Sequence, residues 1–287
     1  MDSLMPTDQT PAPSRSGAEK GSRRFRQAAL RTLKRSVKRS LRGALGDRLL
    51  RRIAQVSASA AGIDLKLGFS VPAAFGDNAR AIHARHAAQT IEDVAALRKK
   101  YQAPVLGRVR VWSLIEKLAE CIDPSDEGLY SVSQQVHVLQ VLEAMERDGV
   151  SNRELTLAAL LHDVGKLLLL TGEAPEHVVC MNEPIGRYEP GIGLDKCVLQ
   201  WNHDEFAYSR LRDYLPDGLA WLIRYHSIVL SSCEKYMDAR DREYAAKYLT
   251  VFEAYDQGSK SPYTVPKKRI GDYRDAIEEA FPSEIVF

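Results

Sequence analysis

The sequence predicts an all-α fold, a helical bundle preceded by a basic N-terminal extension. Beyond residue 80, apolar residues recur every three or four positions in one segment after another, the period of helices with one buried face. Alternating apolar and polar runs, as half-buried strands require, are nearly absent. Histidines and aspartates fall on or at the end of successive helical segments, so inward-pointing side chains would meet in the core of a bundle. With 287 residues, 45% of them hydrophobic, the chain can bury a substantial core as one large domain or two small ones.

The extension comes first. Residues 1–60 hold 14 Lys and Arg against 4 Asp and Glu, a net +10, although the whole chain carries only +2 and the remainder is therefore at −8. Residues 1–22 are rich in Pro, Ser, Thr and Gly with no apolar period and are expected to be disordered. Over residues 24–56, Leu30, Leu33, Val37, Leu41, Leu45, Leu49 and Ile53 recur between arginines, the pattern of an amphipathic helix with a cationic face. Such a face suits an anionic membrane surface, a nucleic acid or an acidic partner. Asp2, Asp8 and Glu19 argue against a transit peptide, since those are poor in acids. Residues 61–85 read as a linker or lead-in, and residues 86–287 as the body.

Within the body, residues 88–100 and 111–121 carry helical spacing, the latter through Trp112, Leu114, Ile115, Leu118 and Ala119. Residues 131–147 read as a helix that starts near a serine cap and stops at Gly149, with His137, Gln140, Val141 and Ala144 in register. Ser151-Asn-Arg-Glu154 has the form of a capping box, so a helix starts there and delivers His162 and Asp163 at its far end, before Gly165. Residues 194–215, ended by Pro216, are expected as a helix bearing His203. Residues 219–230 would bear His226, and a helix over 238–255 would place Asp256 at its tail, with Gly258 just beyond.

His162-Asp163 puts an imidazole and a carboxylate side by side, where one metal ion can take both. With His137 upstream and His203, His226 and Asp256 downstream, the ordered set reads His…His-Asp…His…His…Asp. Imidazole nitrogen with carboxylate oxygen suits iron, manganese or zinc, whereas magnesium and calcium prefer oxygen shells and copper(I) prefers sulfur. Six ligands exceed one tetrahedral zinc. Two metals bridged by Asp163 fit the number, and the lack of sulfur ligands leaves redox-active iron open. A lone histidine on an apolar helix face more often packs than ligates, but several converging ones do not share that expectation. His83, His86 and His177 lack such a context and read as ordinary surface or loop histidines. Lys166 lies one turn past the pair, and beside two cations its pKa is expected to fall, making it a donor or a base.

Cys121, Cys180, Cys197 and Cys233 show no Cys-x-x-Cys spacing and read as reduced thiols, which points to a cytoplasmic address. No apolar run approaches the roughly 20 residues that span a bilayer. Association with a membrane would therefore be peripheral, through the basic segment.

Leu160-Leu-His-Asp-Val-Gly-Lys166, Trp201-Asn-His-Asp-Glu-Phe206, Ile223-Arg-Tyr-His-Ser227 and Phe252-Glu-Ala-Tyr-Asp256 together resemble the myo-inositol oxygenase family in sequence, order and spacing. So do Gln89-Thr-Ile-Glu-Asp-Val94 and Cys121-Ile-Asp-Pro-Ser-Asp126, and the likeness covers roughly residues 86–285. The resemblance implies an HD-type helical domain, a mixed-valent Fe(II)/Fe(III) pair, and O2-dependent four-electron ring cleavage of inositol to glucuronate. It implies that His137, His162, Asp163 and Asp256 hold one iron, and that Asp163 bridges to a second held by His203 and His226. Lys166, Ser227, Lys260 and, with a one-residue shift in register, Asp123 match positions that contact the polyol. A monomer is expected.

Two of the family's substrate contacts have no counterpart. Its Phe-Arg-Asn-Tyr segment is missing from residues 58–85, and its Gly-Asp pair after the His-Asp helix is Cys180-Met181 here. The loop over residues 182–193 is also much shorter. A site that bonds a hydroxyl discriminates strongly, so losing two contacts would alter the substrate taken. Two other classes share the frame. A metal-dependent phosphohydrolase or phosphodiesterase would use a metal-bound hydroxide, but only Arg187, Arg210 and Arg224 lie near the ligands to receive phosphate; organophosphonate-cleaving di-iron oxygenases fall between the two. A non-enzymatic membrane- or nucleic-acid-binding protein would have no need of all six ligands.

Overall fold

Residues 73–287 are described by a computed structural model, and the expectations for residues 1–60 fall outside them. Helix α1, Ala73–Ala87, occupies part of the stretch read as a lead-in and buries Ala79, Ile82 and His86 at three- and four-residue spacing. Its alanine-rich sequence gave that stripe little contrast. Helix α2, Ile91–Lys100, is opened by Thr90, whose side chain accepts from Asp93 N while Asp93 accepts from Thr90 N at 2.9 Å. Among the described residues, strands are confined to β1, Arg108–Val109, and β2, Ile285–Val286, paired antiparallel with Arg108 opposite Val286 and Val109 opposite Ile285. Phe287 then packs edge-on to Phe206 at 5.2 Å.

Helix α3, Val111–Lys117, buries Val111, Trp112, Leu114 and Ile115. Helix α4, Gln134–Arg147, is capped by Ser133 and stops before Gly149, which takes the left-handed φ of 73°. Helix α5, Arg153–Leu161, corrects the expected capping box. Asn152, not Ser151, is the cap, accepting from Glu154 N at 2.8 Å and Leu155 N at 3.3 Å, while Glu154 instead accepts from the Tyr248 hydroxyl at 2.8 Å. After Asp163 the chain tightens into a 3-10 segment, Val164–Thr171, ended by Gly172.

The helix expected over 194–215 is the largest correction. Only a 3-10 turn at Leu194–Lys196, helix α6 at His203–Leu211 and a 3-10 turn at Arg212–Tyr214 form. The link before α6 is held open by Gln89, which accepts from Trp201 N at 2.8 Å and donates to Trp201 O at 3.1 Å, so both backbone groups of Trp201 are taken. Helix α7 spans Asp217–Tyr225 and leaves His226 directly after it, and α8 is the single turn Leu230–Cys233. The helix expected over 238–255 forms as α9, Ala239–Tyr244, a π-helical turn, Ala245–Leu249, and α10, Thr250–Ser259, so Asp256 lies inside α10 rather than past its end. Helix α11, Arg274–Glu278, packs on α3 and α5.

Helix α4 packs between α5 and α10, α5 reaches α7, and α6 packs on both α7 and the 3-10 segment. Every element that carries a predicted ligand is therefore next to another that does. No helix among the described residues is long and apolar enough to cross a membrane.

Candidate metal centre

Six predicted ligands from separate elements come together in the core. His137 sits in the first turn of α4, His162 caps the end of α5, Asp163 opens the 3-10 segment, His203 begins α6, His226 follows α7 and Asp256 lies in α10. None is more than 4% exposed. Gly165 makes the approach of α6 possible, because a Cβ there would lie 2.1 Å from the carbonyl oxygen of His203. The glycine of the His-Asp-Val-Gly-Lys run thus has a packing reason.

Three histidines have their Nδ1 atoms engaged by backbone carbonyls: His162 with Ala159 O at 3.0 Å, His203 with Val178 O at 2.7 Å and His226 with Ile223 O at 3.0 Å. A carbonyl can only accept, so Nδ1 carries the proton and Nε2 is left as the bare lone pair that a metal takes. The Nε2 atoms of His162 and His203 are buried with no hydrogen-bond partner. They lie 3.3 Å from opposite oxygens of Asp163, His162 by Oδ2 and His203 by Oδ1. His137 Nε2 is 2.8 Å from Asp256 Oδ1 and 4.0 Å from Asp163 Oδ2, and His162 Nε2 is 3.8 Å from that same Asp256 oxygen. Ligand atoms bound at about 2.1 Å and at right angles sit about 3 Å apart, so these separations fit shared ions. The rings run in order His137, His162, His226, His203 with centroids 5.1–5.4 Å apart.

The electrostatics favour cations. Burial pushes His137 and His203 below the ordinary imidazole value and His226 down to about 4, which keeps these rings neutral. His162 is the exception, because burial is outweighed by Asp163 and Asp256 and its pKa rises. Burial also opposes charge on Asp163 and Asp256, yet His162 and Lys166 hold the former, and Lys260 and His137 the latter, well below the carboxylate range. Neutral imidazoles and ionised carboxylates are the forms that bind metal. Buried orphan nitrogens, an all-N/O donor set and retained negative charge fit a pair of borderline metal ions. The cysteines stay outside this set: all four are free, and burial lifts the Cys121, Cys180 and Cys233 thiols to about 12.

Beside the cluster lies a second group of charges. Lys166 Nζ donates to Gln134 Oε1 at 3.1 Å and lies 3.1 Å from Asp163 Oδ1 and 3.2 Å from Asp123 Oδ2. Burial opposes its charge, but Asp163, Asp123 and Asp126 raise its pKa well above the ordinary lysine value, which corrects the expected depression. Asp123 is held through Oδ1 by Ser125 N at 2.8 Å and Ser125 Oγ at 2.7 Å. Lys260 pairs with Asp126 at 2.7 Å. Ser227 donates from Oγ to Asp204 Oδ2 at 2.6 Å. His83 is exposed and His177 half-buried, as surface or loop residues, but His86 is buried, its Nδ1 2.8 Å from Glu176 O. Cys180 keeps a left-handed φ of 85°, a conformation that disfavours a side chain.

Asp126, Gln134, Asn202 and Asp204 belong to this neighbourhood and were not singled out by sequence reasoning. Asp204 had a visible signal: His203-Asp204 repeats the His162-Asp163 pair, and its Oδ1 lies 3.0 Å from His203 Nε2. Gln134 had none. Its identity matters only because the 3-10 turn brings Lys166 to it. A shallow pocket lined by Asn182, Cys197, Gln200, Glu205 and Arg224 contains none of the six candidate ligands.

A family model for myo-inositol oxygenase matches residues 78–181 and 175–287. Inositol oxygenase 1 of Arabidopsis thaliana is 31% identical, with 70% of this chain and 76% of that protein covered. The probable inositol oxygenase of Oryza sativa subsp. japonica is 30% identical over 70% of this chain and 77% of its own, and the inositol oxygenase of Danio rerio is 25% identical over 58% and 73%.

Proposed function

The chain belongs to the myo-inositol oxygenase family, and we propose that it cleaves the ring of myo-inositol or a closely related cyclic polyol with O2 at a two-iron centre. It is an oxygenase of the inositol type that uses metal and acts on a polyol. For inositol the balance is one polyol and one O2 giving one glucuronic acid and one water. The observation that carries the two-metal reading is the division of Asp163, with unpartnered nitrogens of His162 and His203 facing its two oxygens at 3.3 Å each.

We assign His137, His162, Asp163 and Asp256 to one ion and Asp163, His203 and His226 to the other. Bound there, iron would supply redox capacity for O2 chemistry and Lewis acidity that lets a coordinated hydroxyl ionise near neutral pH. The chain's own groups then bind and orient the polyol. Lys166 serves as a charged donor rather than a base, since Asp163, Asp123 and Asp126 around it hold its charge. Lys260, half-buried beside Asp126, offers a second cation against negative charge developing on a substrate oxygen. Asp123 is fixed by Ser125 and turns Oδ2 toward Lys166, where it would accept from a ring hydroxyl. Burial of the ligands excludes bulk water and strengthens these interactions. The cationic segment over residues 24–56 is assigned an auxiliary contact with an anionic membrane surface.

Full-length protein loaded anaerobically with iron and reductant should show a coupled Fe(II)/Fe(III) pair by Mössbauer and EPR spectroscopy. Given O2, it should consume myo-inositol with one O2 taken up per glucuronate formed. Phosphate release from phosphodiesters or phosphonates without O2 uptake would overturn this function.

A further inference from the structure

Ser227 stands in a hydrogen-bond arrangement whose direction can be worked out completely. Asn202 is fully buried and caps α6, its Oδ1 accepting from Asp204 N at 2.8 Å. A backbone N–H only donates, so this contact fixes which end of the amide is oxygen. The other end, Nδ2, has two protons, and it meets two acceptors: Cys180 O at 2.9 Å and Ser227 Oγ at 3.0 Å. Ser227 Oγ thus receives one hydrogen bond from Asn202.

Asp204, also fully buried, sets the other direction. Its Oδ2 lies 3.2 Å from Ser227 N and 2.6 Å from Ser227 Oγ. The backbone N–H again only donates, so Oδ2 is an acceptor. The single hydroxyl proton of Ser227 must point at it, because Asn202 Nδ2 cannot receive it. One lone pair remains on Oγ, and Ser227 is the only member of the trio that is not fully buried.

We propose that Asn202 and Asp204 are positioning residues that lock the Ser227 hydroxyl as a hydrogen-bond acceptor toward the substrate, so that the site selects a ring hydroxyl that donates. A carbonyl, an ether, a fluorine or a phosphate oxygen presents no proton there and leaves the lone pair unmatched in a water-poor site. The device also ties substrate selection to this chain's Cys180-Met181 segment, since the same amide that sets Ser227 holds the Cys180 carbonyl. It reaches the metal side as well, through Asp204 Oδ1 at 3.0 Å from His203 Nε2. The inference rests on the inositol-oxygenase reading and specifies how one of its contacts chooses substrate.

The test uses metal-loaded, full-length protein under anaerobic conditions and calorimetric binding of myo-inositol and its six monodeoxy-monofluoro analogues, since fluorine accepts weakly and cannot donate. In the wild type, replacement at one ring position should weaken binding roughly tenfold beyond the other positions. That selective loss should vanish in Ser227→Ala, persist in Ser227→Thr, which keeps the hydroxyl, and shrink in Asp204→Ala, where the freed proton can turn outward. Metal content and thermal melting of each variant separate this pattern from loss of the centre. If Ser227→Ala fails to fold, the Ser227→Thr and Asp204→Ala pair decides. An analogue series with no loss that depends on Ser227 and Asp204 overturns the inference alone, provided inositol is still cleaved. Protein that binds no cyclitol overturns the oxygenase reading and this inference with it.

Discussion

Asp163 is the residue where one substitution should remove the most. Its two oxygens face different imidazoles at 3.3 Å, so Asp163→Ala should lose both metals rather than one, as metal analysis of the purified variant would show. Retention of two ions per chain would end its bridging role. Lys166 and Lys260 are assigned to the polyol instead. Replacing either by Ala should lower kcat/KM for the polyol by roughly 10²-fold, about 2.7 kcal/mol, because a substrate oxygen would carry uncompensated charge in a water-poor site. Steady-state O2 uptake measures this, and an unchanged kcat/KM would remove the lysine in question from the substrate site. The six candidate ligands could be picked out in the sequence, since His and Asp types in that order imply metal chemistry wherever they meet. Gln134 and Asn202 were not, because a buried amide takes its meaning from partners far away in the chain.

Elements deliver those residues, and two contacts show how closely. A methyl at Gly165 would meet the His203 carbonyl oxygen at 2.1 Å, and backbone cannot step aside cheaply. Gly165→Ala should therefore destabilise the fold by about 1–3 kcal/mol and displace α6, losing at least the ion assigned to His203 and His226. Denaturant melts together with metal analysis check both parts, and a variant with wild-type stability and two metals would refute the close approach. Glu173, just past the 3-10 segment, anchors that segment to the end of α2. Burial alone would raise its pKa, but donation from Lys100, Tyr101 and His177 holds it down to about 2 from 4.5. A carboxylate depressed in the folded state stabilises above its unfolded pKa. Its contribution, on the order of 1–2 kcal/mol allowing for partial solvent exposure, should be lost as pH falls from about 4.5 to about 2. Glu173→Gln should flatten stability across that window in urea melts at stepped pH; an unchanged acid limb would show that other carboxylates set it.

At the scale of the whole molecule, every assigned site residue lies between Asp123 and Lys260, and the basic segment contributes none of them. Deleting residues 1–60 should leave two metals and O2-dependent activity in place while weakening sedimentation with anionic vesicles, each lost cationic contact near such a surface being worth about 1 kcal/mol. Unchanged vesicle binding would reject the membrane role. An inactive truncation would mean that the segment helps build the site.

By itself the sequence determined the all-α class, the order of the ligand-bearing segments and the identity of the six candidate ligands, because periodicity and side-chain chemistry are local properties. It misjudged the path between them. Residues 197–202 have helical spacing yet run extended, since Gln89, distant in sequence, occupies both backbone groups of Trp201. The π-helical turn at Ala245–Leu249 interrupts an otherwise regular helix in a way that composition does not mark. The pKa of Lys166 likewise turned on Asp123 and Asp126, which a distant segment adds to its neighbour Asp163. What only the tertiary structure decided was direction: which nitrogen of His203 is free, which oxygen of Asp163 faces that ring, and which way the Ser227 proton points. Those follow from contacts between residues far apart in the chain, and no local pattern encodes them.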